Sequence, residues 1–160
     1  MIVIADTSPI NFLVQIGEIE VLPKLYDSIL IPPSVRNELR HPRAPDAVRQ
    51  WIHQPPEWLQ VRASSLTPDS GLLEADIDVG ERDAILLALE VAADEVIMDD
   101  MGGRREAERL RLSVTGTIGV LRAAAKVGLL DLHDALDRLL QTNFRIDKEF
   151  LHRLIRDEQV

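Results

Sequence analysis

The sequence predicts a single α/β domain of three layers, α/β/α, spanning residues 1–160, with a parallel sheet of four to five strands at its centre. Three observations carry this. Short continuous apolar runs rich in β-branched residues recur along the chain, as buried parallel strands require. Segments of helical periodicity separate them, so each strand is followed by a crossover. No internal repeat, low-complexity tract or linker divides the 160 residues, a length suited to one well-buried core.

Ile2-Val3-Ile4-Ala5 reads as the first strand, stopped by Asp6. Ser8-Pro9 opens a helix, since Pro is tolerated in a first turn, and Ile10, Leu13 and Val14 form its apolar face. A second helix covers Ile19 to Leu25. Ile29-Leu30-Ile31 is the next strand, closed by Pro32-Pro33. Ser34 to Arg40 and Asp46 to Ile52 are helices, and Leu59-Gln60-Val61 supplies a third strand. Residues 63–79 begin polar and carry no strong pattern. Glu81 to Ala93 is apolar nearly all round and predicts a deeply packed helix. Val96-Ile97-Met98 is a strand stopped by Asp99-Asp100. Met101-Gly102-Gly103 turns into a charged helix ending at Leu110. Ser113 to Thr115 is a short strand, and Gly116 starts the helix Ile118 to Lys126, which Gly128 ends. Two tail helices within 131–158 pack on the same domain, through Leu132, Ala135, Leu136, Leu139 and Leu140 in the first. Asp147 reads as the second one's N-cap, with Ile146 and Leu151 placed for a hydrophobic staple.

Composition narrows the function. There is no cysteine, so disulfides, zinc–thiolate sites and cysteine nucleophiles are excluded, and a reducing cytoplasm is the expected location. The start MIVIADTSP lacks a basic region and is not expected to be a signal peptide. No apolar run approaches the ~20 residues that span a bilayer, so no membrane partner is expected. The chain carries 18 basic against 27 acidic residues, a net charge of −9. That balance opposes a broad basic groove for nucleic acid. A metal bound by carboxylates reverses their local field, however, and a partner chain can add positive charge.

The functional edge of a parallel sheet lies where its strands end. Asp6 follows the first strand and Asp99 and Asp100 follow the strand at 96–98, so they share that edge. Glu38 lies in the helix after the second strand, while Glu81 and Asp83 open the long apolar helix. Each has a plainer reading. Asp6 could cap a helix, Asp99 and Asp100 could be turn residues, Glu81 and Asp83 could complement a helix N-terminus, and Glu38 could be solvated. Together they say more, because like charges gathered at one edge persist only if a cation neutralises them or some stay protonated. All-oxygen ligands suit Mg²⁺ or Mn²⁺, and such an ion activates water and stabilises charge on a phosphate. The metal candidates are therefore Asp6, Glu81, Asp83, Asp99 and Asp100. The catalytic candidates are Asp6, Glu38, Glu81, Asp99 and Asp100. Glu81 and Asp83 point to different helix faces. Glu81 shares the apolar stripe of Ala84, Ile85 and Ala88, which favours it over Asp83. Thr7, Ser8, Asn11, Thr115 and Thr117 are candidates to hydrogen-bond ligands or a phosphate. Arg104 and Arg105 are candidate phosphate contacts. The four histidines show no metal-like spacing and read as structural.

The stretches DTSPINFL (6–13), PPSVRNEL (32–39), GERDAILLA (80–88) and VIMDD (96–100), the last followed by Arg104 and Arg105, together resemble a PIN domain. SVTGTIGVL (113–121) is similar to the closing part of a subfamily of toxin-like bacterial and archaeal PIN proteins. The resemblance implies a PIN-like doubly wound fold and a Mg²⁺- or Mn²⁺-dependent ribonuclease hydrolysing RNA phosphodiesters. It further implies a VapC-type toxin held by a small antitoxin protein, and a homodimer. On this resemblance Asp6 takes the first acidic position, Glu38 the second, Glu81 or Asp83 the third, and Asp99 or Asp100 the fourth, with Thr7 or Ser8 as the accompanying hydroxyl. The competing expectation is a non-catalytic module of the same fold that docks a partner protein or nucleic acid. A phosphatase or phosphoacceptor is disfavoured, because DTS replaces a DxD pair and no Lys follows a late strand.

Overall fold

The computed structural model describes residues 1–158. Five strands form one sheet: β1 (Ile2–Ala5), β2 (Ser28–Ile31), β3 (Leu59–Val61), β4 (Glu95–Ile97) and β5 (Val114–Thr115). Their order is β3-β2-β1-β4-β5 and every neighbouring pair is parallel. The helices are α1 (Thr7–Gln15), α2 (Val21–Tyr26), α3 (Pro33–Leu39), α4 (Asp46–His53), α5 (Ser70–Glu74), α6 (Val79–Val91), α7 (Met101–Arg109), α8 (Thr117–Lys126), α9 (Leu132–Leu140) and α10 (Lys148–Glu158). This is the parallel α/β architecture expected from the alternation of apolar runs and helical segments.

The period of two along each strand divides the core into two. Val3, Ala5, Ile29, Ile31 and Ile97 face a layer containing α1, α2, α8 and α9, together with Val35 of α3 and Ile52 of α4. Ile4, Val96 and Met98 face the other way, onto α6, α7 and Leu72 of α5. Being covered on both sides, the strands need no polar residues inside, which is why they read as unbroken apolar runs. The C-terminal part joins the first core through Leu136, Leu139 and Leu151. Asp147 accepts from the Glu149 amide at 3.0 Å, and Ile146 packs against the core that contains Leu151, as the N-cap and staple reading expects. No helix among the described residues is long and apolar enough to cross a membrane.

Two details depart from expectation, the helix at 70–74 and the start of α6. Residues 70–74 form a helix, started by the Asp69 carboxylate, which accepts from the Leu72 amide at 2.8 Å. The long helix begins at Val79, two residues before Glu81. Asp78 and Glu81 there form a reciprocal capping box: the Glu81 amide donates to Asp78 at 2.7 Å and the Asp78 amide to Glu81 at 3.1 Å. Asp6 stands at the N-cap of α1 but makes no side-chain cap bond, so its carboxylate is left for another purpose.

Leu87 is 0% exposed in α6, whereas Leu73 is 63% exposed on α5. Leu87→Ala should therefore lower the unfolding free energy by about 2–5 kcal/mol. Leu73→Ala should change it by no more than about 0.5 kcal/mol, both read from urea denaturation.

Candidate metal centre

The winding of the sheet reverses between β1 and β4, the adjacent strands from which the chain departs in opposite directions. A crevice opens at such a point, beyond the carboxyl ends of the strands. The Asp6 amide donates to the Ile97 carbonyl at 2.9 Å, which carries the β1–β4 ladder one step past the strand. This bond places Asp6 at the crevice beside the Met98–Asp99 turn. A cavity of about 1070 Å³ occupies the position, and Asp6, Glu38, Asp78, Glu81, Asp99 and Asp100 line it.

Each carboxylate is held differently. Asp6 is 4% exposed, and its Oδ1 has no hydrogen-bond partner. Burial drives its pKa well above the ordinary value; the Thr7 amide partly offsets this, and Asp78, Glu81 and Glu38 add repulsion. Glu38 reaches in from α3 and accepts from the Thr7 hydroxyl at 2.6 Å. Its pKa is raised by burial and by Asp78, against the lowering by that hydroxyl. Glu81 is 6% exposed, and burial raises it to about 7, with Asp78, Asp100 and Glu38 contributing. Asp99 accepts three bonds: from the Ser8 hydroxyl at 2.9 Å, the Thr117 amide at 2.7 Å and the Thr117 hydroxyl at 2.7 Å. Asp100 instead caps α7, accepting from the Gly102 and Gly103 amides at 3.0 and 3.3 Å.

Two glycines allow this crowding. A Cβ on Gly80 would lie 2.7 Å from Glu38 Oε1 and 3.4 Å from Asp6 Oδ1. One on Gly116 would lie 2.8 Å from Asp99 Oδ1 and 2.9 Å from an Arg104 nitrogen. Real Cβ atoms essentially never come within 3.0 Å of such an atom, so a larger residue at either position requires the Glu38, Asp99 or Arg104 side chain to shift.

The structure thus brings Asp6, Glu38, Glu81, Asp99 and Asp100 to one cavity, with Thr7, Ser8, Asn11, Thr115 and Arg104 also on its lining. Asp83 is not among them. It lies two residues along α6 from Glu81, rotated to another face, and pairs with Arg82 at 3.5 Å. Arg105 is exposed and off the cavity lining, one position round the helix from Arg104. Asn11 lines the cavity while its side-chain oxygen accepts from Gln15 at 3.1 Å. Sequence reasoning missed Asp78, which faces Asp6, Glu38 and Glu81. The signal for it was present: Asp78 followed three residues later by Glu81, ahead of an apolar run, is a capping-box spacing.

The donor set fits a hard divalent cation. It is all oxygen, at least one buried carboxylate oxygen lacks a partner, and Asp78, Glu81 and Glu38 add their repulsion at Asp6. Among the described residues no three carboxylate or imidazole groups are drawn together as a ready-made metal cage. The acids converge on the cavity without yet closing round a point.

Comparisons with known proteins agree with this architecture. The fold is similar to that of a PilT N-terminus domain protein from the hyperthermophilic archaeon Sulfolobus solfataricus, with a TM-score of 0.52 over 92% of this chain and 100% of that one. The two sequences are 15% identical, so the likeness speaks to fold alone. No curated protein matches the chain. A family model described as PIN domain matches residues 2–159. The parallel sheet, the acidic crevice and a match over nearly the whole length lead to one conclusion: this chain belongs to the PIN-domain family.

Proposed function

We propose that this PIN domain is a Mg²⁺- or Mn²⁺-dependent endoribonuclease of the cytoplasm, acting as the toxin of a toxin–antitoxin pair. PIN domains are in general metal-dependent nucleases. The observation that carries the reading is Asp6. An ionised carboxylate 4% exposed, with one oxygen unpartnered and three acidic neighbours, is unfavourable unless a cation completes it. Asp6, Glu38, Glu81 and Asp99 would hold the ion, which when bound would supply Lewis acidity and an activated water.

The remaining residues orient those acids. Ser8 and Thr117 hold Asp99 with three donors, and Thr7 holds Glu38. Donors of this kind set the orientation and basicity of a ligand carboxylate. Arg104 lies by Asp99 across Gly116 and is placed to meet a phosphate oxygen. RNA as substrate and the toxin role, with a small antitoxin partner and a homodimer, rest on the sequence resemblance.

The acids also make a pH prediction. A group whose pKa is raised on folding stabilises the protein below its unfolded value and loses that contribution as pH rises through the folded one. For Glu81 the window runs from its ordinary 4.5 to about 7, and Asp6 acts in the same direction. Asp69, lowered by the Leu72 amide and then by Arg109, and Glu90, lowered by Ser65, act oppositely, at more acidic pH.

Two experiments follow. Asp6→Asn should reduce Mn²⁺-dependent cleavage of RNA at least about a hundredfold while the circular dichroism spectrum stays that of the parent. Expression of the parent should arrest growth and that of Asp6→Asn should not; equal cleavage by the two proteins would sink the mechanism. In chelator, the metal-free protein should lose roughly 5 °C of Tm between pH 5 and pH 8, and Mn²⁺ should remove that loss. A Tm unchanged by pH and by Mn²⁺ would rule out a cation-dependent site at these acids.

A further inference from the structure

The cavity has a second wall, supplied by the C-terminal part of the chain. Asn143, Phe144, Arg145, Phe150 and Leu154, from the chain before α10 and from α10 itself, line it together with the acids. Apolar anchors pin this wall to the domain. Phe144 stands edge-on to Phe12 of α1, with ring centroids 5.0 Å apart and planes at 90°. Leu151 and Leu154 are 3% and 5% exposed. Phe150, next to Leu151, is different: it lines the cavity and is 44% exposed. Arg145, also exposed, lines the same cavity.

The wall therefore offers an aromatic ring and a guanidinium above an acidic floor. An occupant must satisfy both. A bare floor repels any anion, and a basic peptide would meet Arg145 and Arg104 in the same cavity. With a cation bound, an acidic peptide and a nucleic acid both gain, but only the nucleic acid presents a π-face at every unit. A nucleic acid strand satisfies both once the floor carries a cation. Its phosphates go to the cation and to arginine, and every base has a π-face for the ring.

We propose that Phe150 is the stacking platform for a base next to the scissile phosphate, and that Arg145 contacts the backbone of the same single strand. The C-terminal segment is then a substrate-positioning wall. This rests on the nuclease reading above, and stacking of this kind is sequence-tolerant, so it selects unpaired nucleotides over duplex.

The test uses the full chain and a short fluorescein-labelled single-stranded RNA. Cleavage kinetics are measured in Mn²⁺, and anisotropy binding is measured with Ca²⁺ in place of Mn²⁺. Phe150→Ala should raise KM and Kd about tenfold, with kcat within about twofold and Tm unchanged, and Phe150→Trp should restore both constants. In an oligonucleotide series with one abasic site moved along the strand, one position should reproduce the loss in the parent and add nothing in Phe150→Ala. Parent-like KM and Kd in Phe150→Ala would overturn the proposal, and would point to a wall serving a protein partner. So would a joint fall of kcat and Tm that Trp does not rescue, which marks a merely structural residue. A parent that binds RNA through Phe150 without cleaving it would refute the nuclease and keep the wall. A parent that cleaves regardless of Phe150 would do the reverse, and one that neither binds nor cleaves would refute both.

Discussion

The parallel pairing of β1 with β4 is the constraint on which the rest depends. Ile4 stands opposite Val96 and Ala5 opposite Ile97, and the Asp6 amide then bonds the Ile97 carbonyl. Side chains alternate with period two, so a slip of β4 by one residue would turn Val96 and Met98 out of their core. It would also carry Asp6 away from Asp99. The same register thus serves the apolar interior and the acidic crevice, and neither can shift without the other.

The crevice works against stability, and the cores on either side of the sheet absorb the cost. Asp6, Glu38 and Glu81 all have raised pKa values, with burial as the first cause in each case. Part of the strain is relieved locally: Thr7 donates to Glu38, and Asp78 shares a capping box with Glu81. Asp99 accepts three bonds from Ser8 and Thr117, which fix its orientation. The arrangement is a site part-built by hydrogen bonds, its remaining charge imbalance left at the buried Asp6.

Much of this fold could be read from the sequence because the strands are buried on both faces and therefore appear as apolar runs. The weak points were short or non-local. The helix at 70–74 has five residues and one buried side chain, Leu72, which is too little periodicity to detect. That Glu81 and not Asp83 faces the cavity was legible, since helical spacing set Glu81 on the apolar stripe. The difference between Asp99 and Asp100 was not. It depends on Thr117 and Ser8, which lie 18 and 91 residues from Asp99, and on which acid turns back to cap α7. Nor could local pattern bring Phe150 to the cavity of Asp6, because that contact is made only by the folding of the C-terminal segment onto α1.

The triple hold on Asp99 has a consequence for the order of synthesis. Its two Thr117 bonds come from a residue made 18 positions later, at the start of α8. Asp6, near the beginning of the chain, needs the β4 backbone to be placed at all. A growing chain therefore carries the acids in sequence long before it carries them in space. If these acids cut RNA, the nascent chain has no assembled site to turn on RNA nearby until Thr117 has been made and folded against Asp99.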